Sequence, residues 1–114
     1  NDETLLVILI EDIVAVNDLA DILTVDHIDV FFVAPGDLAQ SMGYPGQANH
    51  PEVQATVTKA VAQINAAGRV AGGVTSESAV DDDIRRGVRF LNVNWTPLIT
   101  SAVAGFLEKA AAGS

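Results

Sequence analysis

The sequence predicts an α/β protein in which four strand–helix units share one parallel sheet. Two observations support this. Short apolar runs typical of strands alternate along the whole chain with segments whose apolar residues recur at helical spacing. Glycines and prolines fall between the segments, where turns are needed. Strands that alternate with helices in this way form a parallel sheet with right-handed crossovers.

Composition narrows the classes of function. The chain has 114 residues, of which 49% are apolar, so we treat residues 1–114 as a single domain. A net charge of −9 argues against nucleic acid or an anionic membrane as partner. The absence of cysteine excludes disulfides and thiolate metal sites. No run approaches the ~20 apolar residues of a membrane helix, so we expect a cytoplasmic protein. The start without Met indicates a fragment or a processed chain.

In the first unit, residues 5–10 form a continuous apolar run, which predicts a strand buried on both faces. Glu11 follows directly at its carboxyl end. Asp12 is suited to cap the next helix. That helix has one apolar face, formed by Val16, Leu19, Ala20 and Leu23.

In the second unit, residues 28–33 form a strand rich in Val, Ile and Phe. Residues 34–37 open a long loop that runs to about His50, and Pro51 is placed to begin a helix. Gly68 is the predicted C′ residue of that helix. Its buried stripe is predicted to be Val53, Val57, Ala60, Val61 and Ile64.

The third unit begins with a weaker strand over residues 69–74, whose paired glycines indicate close approach to a neighbour or a ligand. Thr75 or Ser76 is predicted to cap a short helix that continues through Ile84 and ends at Gly87.

The fourth unit has a strand over residues 88–93, and Thr96 is predicted to cap the last helix, with Pro97 at its first position. Leu98, Ala102, Phe106 and Leu107 form the apolar face of that helix. From the residues alone, four such units make either a small open sheet or half of a (β/α)8 barrel, whose usual length is about 250 residues.

Two carboxylates mark the candidate site. Glu11 and Asp37 each follow a separate predicted strand, and ligands of parallel α/β proteins bind at strand carboxyl ends. Hard oxygen donors of this kind suit Mg²⁺ or Mn²⁺. The alternative is that both residues only cap helices, since a carboxylate there satisfies free N–H groups without a metal.

Other candidates have simpler interpretations. We expect His50 to cap a helix or anchor its loop, and His27 to be solvated. The acidic run at residues 81–83 is interpreted as a solvated face balanced in part by Arg85 and Arg86. Ser41 shows no His–Asp partnership that would make it a nucleophile.

Several segments together resemble the HpcH/HpaI-type aldolase and citrate lyase family, over nearly the whole chain. They are residues 10–11 (Ile-Glu), 15–19 (Ala-Val-Asn-Asp-Leu), 28–32 (Ile-Asp-Val-Phe-Phe), 35–38 (Pro-Gly-Asp-Leu), 41–46 (Ser-Met-Gly-Tyr-Pro-Gly), 50–53 (His-Pro-Glu-Val), 66–69 (Ala-Ala-Gly-Arg) and 87–90 (Gly-Val-Arg-Phe).

The resemblance implies the C-terminal half of a TIM barrel, strands five to eight. It also implies a class II aldolase that cleaves a 2-keto-3-deoxy or 4-hydroxy-2-oxo acid to pyruvate and an aldehyde through a metal-stabilised enolate. Glu11 and Asp37 would bind the Mg²⁺ or Mn²⁺, with Co²⁺ and Zn²⁺ as alternatives. Gly36 and Asp37 would hold the substrate carboxylate through their N–H groups. Apart from the resemblance, the position of Trp95 at a strand end makes it a candidate to line the substrate pocket; the alternative is a core or interface aromatic.

The sequence departs from the family in ways that bear on activity. The family's catalytic His and carboxylate-binding Arg belong to the first half of the barrel, which these 114 residues do not include. Leu9 stands where many members have Gln, Ala34 where Gly is usual, and residues 92–95 (Asn-Val-Asn-Trp) where the last strand commonly ends in Gly-x-Asp.

Three hypotheses therefore stand. In the first, this chain supplies the metal ligands of an aldolase and pairs with an N-terminal half-barrel or with a second copy, as a homo-oligomer. In the second, it is a non-catalytic half-barrel module that binds metal without turnover. In the third, it is a small open α/β binding domain of flavodoxin-like build, in which Glu11 and Asp37 only cap helices.

Overall fold

A computed structural model describes residues 3–113 and contains one four-stranded parallel sheet with strands in chain order. The strands are β1 (Val7–Ile10), β2 (Val30–Val33), β3 (Ala71–Thr75) and β4 (Phe90–Val93). The helices are α1 (Ile13–Asn17), α2 (Leu19–Ile22), α3 (Pro35–Ser41), α4 (Pro51–Ala66), α5 (Val80–Arg86) and α6 (Trp95–Ala112). This confirms the predicted α/β class with four strands alternating with helices.

The buried core lies between one face of the sheet and the helices that follow β1 and β2, since α5, which follows β3, buries no residue. Ile10, Phe31, Val33 and Ala71 contribute from the sheet, and Leu19 and Leu38 from α2 and α3. The stripe of α4 completes the core, and its buried residues are the five predicted from spacing: Val53, Val57, Ala60, Val61 and Ile64. Helical periodicity identified this face because a sheet covers only one side of the helix.

The opposite face of the sheet is only partly covered. Leu9, Phe32, Gly72 and Phe90 are consecutive partners in the strand register and so share that face. Phe32 and Phe90 meet edge to face, with ring centroids 6.4 Å apart, but Leu9 remains 55% exposed. The prediction that the first strand is buried on both faces is therefore wrong for the described residues, because nothing among them covers Leu9.

Several helix boundaries differ from the predictions. The predicted first helix is two short helices that meet at Asp18. The predicted long loop after β2 begins instead with the helix α3, since Pro35 occupies its first turn and the fixed φ of proline favours helix there. The predicted strand starts at residues 5, 28, 69 and 88 were each two residues too early.

Two predicted caps were wrong. The residue before α5 is Ala79, which makes no side-chain cap, because residues 76–79 form a turn closed by the Ala79 N–H on the Ser76 carbonyl, at 3.1 Å. The cap of α6 is Asn94, whose side chain accepts from the Thr96 N–H at 3.0 Å, so the helix starts two residues earlier than predicted. Gly68 and Gly87 end their helices with positive φ, as predicted.

Arg69 joins the start of the sheet to the loop before β2. Its guanidinium donates to the carbonyls of Leu23 (2.8 Å), Val25 (3.1 Å) and Ile28 (2.8 Å) and lies 4.7 Å from the centroid of the Phe31 ring. These carbonyls have no strand partner, so a charged donor satisfies them at little cost.

The last helix lies apart from this core. None of its residues is buried, and Phe106 and Leu107 are 69% and 59% exposed. An 18-residue helix whose apolar side faces solvent is a surface that needs another partner to cover it. Within residues 3–113, no helix combines the length and the hydropathy that a membrane crossing requires.

Candidate functional site

The strand register brings the two candidate acids to the same edge of the sheet. Ile10 and Val33, the last residues of β1 and β2, are partners, and the Ala34 N–H donates to the Ile10 carbonyl at 3.0 Å. Glu11 follows β1 directly, and Asp37 lies in the first turn of α3. Both line one open cavity of about 430 Å³, together with Asp12, Gln40 and Ser41.

In the structure, residues other than Glu11 and Asp37 occupy the N-cap positions of the neighbouring helices. Asp12 is the N-cap of α1, as predicted, and accepts from the Ala15 N–H at 2.8 Å. The N-cap of α3 is Ala34, whose side chain cannot accept. Neither Glu11 nor Asp37 makes a side-chain hydrogen bond or ion pair with the described residues, and both are exposed. The capping alternative therefore accounts for neither carboxylate.

Ser41 holds the two acid-bearing segments together. Its hydroxyl accepts from the Ile13 N–H at 2.9 Å and donates to the Leu38 carbonyl, also at 2.9 Å. This ties the first turn of α1, next to Glu11, to the end of α3, which carries Asp37. Both bonding directions of the hydroxyl are used, which agrees with the expectation that Ser41 is no nucleophile.

The first turn of α3 presents free backbone donors beside Asp37. Pro35 has no N–H, and the Leu38 N–H bonds the Ala34 carbonyl at 3.0 Å, whereas those of Gly36 and Asp37 have no acceptor within the described chain. A Cβ at Gly36 would meet nothing within 4 Å, so this turn is open to solvent.

Trp95 begins α6 directly after β4, so it lies at the same carboxyl edge of the sheet. Its side chain is 66% exposed and does not line the cavity that contains Glu11 and Asp37. Its assignment to the substrate pocket stays a prediction.

The loop between α3 and α4 is closed by an aromatic stack. The rings of Tyr44 and His50 are 3.8 Å apart and nearly parallel, and Nδ1 of His50 accepts from the Glu52 N–H at 3.2 Å as the cap of α4. The Tyr44 hydroxyl donates to the Glu52 carboxylate, which raises the pKa of Tyr44. His50 therefore caps and anchors, as predicted.

Asp81 and Asp82 are exposed, but the Asp83 side chain is only 13% exposed, so the prediction of a solvated acidic face is wrong for Asp83. Asp82 pairs with Arg85, and Asp83 lies 4.0 Å from Arg86, so the predicted balance of charges is confirmed for these two acids. Within residues 3–113, no three His, Asp or Glu side chains are grouped closely enough to hold a metal ion by themselves. Any metal site at Glu11 and Asp37 therefore depends on further ligands.

A second and larger cavity, of about 600 Å³, is also lined by Asp37. It extends from residues 34–37 to β3, α4 and α5, and Gly73 and Arg86 are among its lining residues. Sequence reasoning did not find it. The only signal was the glycine pair in β3, which indicates close approach but not a cavity.

Four parallel strands with two uncommitted carboxylates at their carboxyl edge define a class of α/β proteins that place a ligand site at strand ends. The family is more specific. The sequence pattern of HpcH/HpaI aldolase/citrate lyase matches residues 1–94. The chain therefore belongs to the HpcH/HpaI aldolase/citrate lyase family.

Individual relatives agree with this membership. The chain is 39% identical over 105 residues to 2-keto-3-deoxy-L-rhamnonate aldolase of Klebsiella pneumoniae, covering 90% of this chain and 39% of that protein. It is 44% identical over 80 residues to the hydroxypyruvate/pyruvate aldolase of Cupriavidus necator, covering 70% of this chain and 30% of that one. The chain thus spans well under half the length of these relatives.

Solved structures show the same relation. An HpcH/HpaI aldolase from Desulfitobacterium hafniense superposes with a TM-score of 0.77 at 28% identity, over 94% of this chain and 43% of that one. A family protein from Burkholderia cenocepacia superposes with a TM-score of 0.85 at 22% identity, over 96% and 44%. The four strand–helix units therefore match about half of a TIM-barrel aldolase.

Proposed function

We propose that this chain supplies the metal-binding half of a class II aldolase, which cleaves a 2-keto-3-deoxy or 4-hydroxy-2-oxo acid to pyruvate and an aldehyde. The observation that supports this most is the placement of Glu11 and Asp37 on one cavity with neither carboxylate engaged elsewhere. Relatives named as aldolases of 2-keto-3-deoxy and 4-hydroxy-2-oxo acids support this class of substrate.

The donor set fits Mg²⁺ or Mn²⁺. These ions prefer oxygen ligands and keep several waters, so two carboxylates at an open cavity suffice for the protein's share of the coordination. A bound divalent cation would act as a Lewis acid that stabilises negative charge on the oxo-acid oxygen while the carbon–carbon bond breaks or forms.

The chain's own residues would orient the substrate. The free N–H groups of Gly36 and Asp37 would donate to its carboxylate, where the partial positive charge of a helix start favours an anion. Ser41 would keep Glu11 and Asp37 in fixed relation through its bonds to Ile13 and Leu38. The remaining acid–base and anion-binding groups would come from the other half of the barrel.

A complementary half would also cover what the fold leaves open. Among the described residues, β1 and β4 have unpaired outer edges, and Leu9 and Val74 on the open sheet face are 55% and 54% exposed. Unpaired strand edges and exposed apolar faces promote association. We propose that an N-terminal half-barrel or a second copy covers this face, and that α6 packs against a neighbouring subunit.

The test is metal binding and pyruvate release in the assembled protein, with Glu11→Gln and Asp37→Asn. We expect each variant to lower Mn²⁺ affinity, measured by calorimetry, by more than the roughly 10–100-fold that outer-shell partners cost. Pyruvate release should fall in parallel. Asp12→Asn is the matched control, since Asp12 lines the same cavity but is committed to capping. Unchanged affinity in both variants would refute the metal site.

A second candidate function is a non-catalytic half-barrel that binds metal without turnover. It is favoured by one observation: neither described histidine lines the cavity with Glu11 and Asp37, so this part of the chain offers no proton-transfer group beside the carboxylates. Mn²⁺ binding that depends on Glu11 and Asp37, without metal-dependent pyruvate release from any oxo-acid substrate, would establish this alternative.

A further inference from the structure

Five residues line the open cavity of about 430 Å³, and the side chains of four have an assigned contact or role. Glu11 and Asp37 are the proposed metal ligands. Asp12 caps α1, and the hydroxyl of Ser41 is used in both bonding directions. The fifth residue is Gln40, which is exposed and whose side-chain amide makes no hydrogen bond within residues 3–113. Gln40 therefore brings uncommitted donors to the cavity.

The spacing along α3 places Gln40 beside Asp37. The two residues are three positions apart in the helix, so their side chains share one face, with Cβ atoms about 5–6 Å apart. Helical side chains lean towards the N-terminus of their helix, so the amide of Gln40 extends over the turn that carries Asp37. Rotation about the torsions of the Gln40 side chain is then sufficient to bring the amide to the Asp37 carboxylate.

A carboxylate that binds a cation needs further hydrogen bonds to fix its direction. When one oxygen binds the cation, the second still accepts hydrogen bonds, and ligating carboxylates in metal sites are usually hydrogen bonded in this way. In the described chain, the Asp37 carboxylate has no such donor. The amide of Gln40 has two N–H donors and no charge, so it can orient Asp37 without neutralising the negative charge that attracts a cation.

The other residues of the cavity do not orient Asp37. Among the described residues that line it, three are carboxylates and none is cationic. Like charges repel, so Glu11 and Asp12 cannot hold the Asp37 carboxylate in place. Ser41 bonds only the backbone of the two acid-bearing segments and contacts neither proposed ligand. The direction of the Asp37 side chain is therefore left to Gln40.

We propose that Gln40 is a positioning residue of the metal site, and that its side-chain amide donates to the Asp37 oxygen that does not bind the cation. The inference rests on the proposed metal site at Glu11 and Asp37. It adds a residue that sets how tightly this site holds a divalent cation. Because Gln40 acts through Asp37, its loss should weaken cation binding without abolishing it.

The first test is Mn²⁺ binding to the assembled protein, measured by calorimetry, with the variant Gln40→Met. Methionine has a similar length and also favours helix, but it donates no hydrogen bond. We expect the Kd for Mn²⁺ to rise about 10- to 100-fold, the usual effect of removing an outer-shell partner. Gln63→Met is the matched control, because Gln63 is a glutamine of α4 that does not line this cavity. It should leave the Kd unchanged.

A spectroscopic measurement separates a hydrogen bond from a general effect on structure. The side-chain amide signals of Gln40 are followed by NMR while Mg²⁺ is added to the assembled protein. We expect the Gln40 amide protons to exchange more slowly with water once the cation is bound, whereas those of Gln63 should not change. Asp37→Asn should remove the slowing. A weaker affinity in Gln40→Met without slower exchange at Gln40 would overturn the proposed hydrogen bond.

The variants also distinguish failure of this inference from failure of the metal site. If Glu11→Gln and Asp37→Asn weaken Mn²⁺ binding but Gln40→Met does not, Gln40 has no positioning role and the metal site stands. If none of the three variants changes the affinity, the metal site itself is refuted, and the role of Gln40 with it.

Discussion

The two faces of the sheet differ in how they are covered. On the helix side, α2, α3 and α4 bury a continuous core that includes fully buried Phe31, Leu19 and Ile64. On the other side, Leu9 and Val74 are more than half exposed. Apart from both faces, α6 buries none of its residues. The helix-side core is formed entirely by described residues. The other face carries apolar side chains typical of a protein interior, but no described residue covers Leu9 or Val74.

This difference shows which contacts belong to a single strand–helix unit. A helix that returns over its own strand covers the outer face by local connection. The inner face of a barrel is covered only by strands from the opposite side, which are distant in sequence. A half-barrel therefore has a native-like outer layer and an open inner one.

The largest effect should come from the helix-side core. Ile64→Ala should lower the free energy of unfolding by about 2–5 kcal/mol, because Ile64 is fully buried and its truncation leaves a cavity. Ile84→Ala is the matched control. Because Ile84 is 54% exposed, this variant should lower the free energy of unfolding by only a small fraction of the Ile64→Ala value. Guanidinium chloride unfolding measures both. Equal losses in the free energy of unfolding would show that the covered and uncovered regions do not differ in their contribution to stability.

The next effect concerns the exposed apolar side of α6. Phe106→Asp should weaken association by about 2 kcal/mol or more, as expected for an aromatic anchor at the centre of an interface. Ala104→Asp places the same charge on the opposite side of the helix and should leave association nearly unchanged. Sedimentation velocity over a concentration series measures both. If Phe106→Asp leaves the assembly intact, α6 is not part of an interface.

Gly72 and Gly73 are adjacent in β3 and therefore face opposite sides of the sheet, so substitutions at these two positions compare the faces directly. Gly72→Ala should destabilise by about 1–3 kcal/mol, because its Cβ would overlap Val30 and Phe32 on the inner face. Gly73→Ala on the outer face should be neutral or slightly stabilising, since its Cβ has room and alanine restricts the unfolded chain. Thermal unfolding of the two variants tests this, and a reversed order would contradict the assigned faces.

The smallest effect is a titration in the loop between α3 and α4. Because the Tyr44 hydroxyl donates a hydrogen bond to the Glu52 carboxylate, the pKa of Tyr44 is raised in the folded state. This contribution to stability is present below the unfolded pKa of tyrosine and is lost as the pH rises through the folded value. The ¹³Cζ shift of Tyr44 reports the titration. Glu52→Gln should lower that pKa, whereas Glu77→Gln should not change it.

The prediction of the candidate site from sequence was partial for a physical reason. Glu11 and Asp37 were found because each follows an apolar run, and the carboxyl ends of parallel strands meet at one edge. The hydrogen bonds of Ser41 and the larger cavity beside Asp37 were not found. Each depends on side chains from segments far apart in sequence, whose distances no local pattern contains.

The sequence by itself determined the parts of this protein that depend on local periodicity. These are the four strand–helix units, the buried stripe of α4, the cap at Asp12 and the helix ends at Gly68 and Gly87. Tertiary structure alone decided which face of each strand is covered and which of two adjacent glycines is sterically required. The reason is that backbone conformation is set by neighbours along the chain, whereas burial is set by neighbours in space.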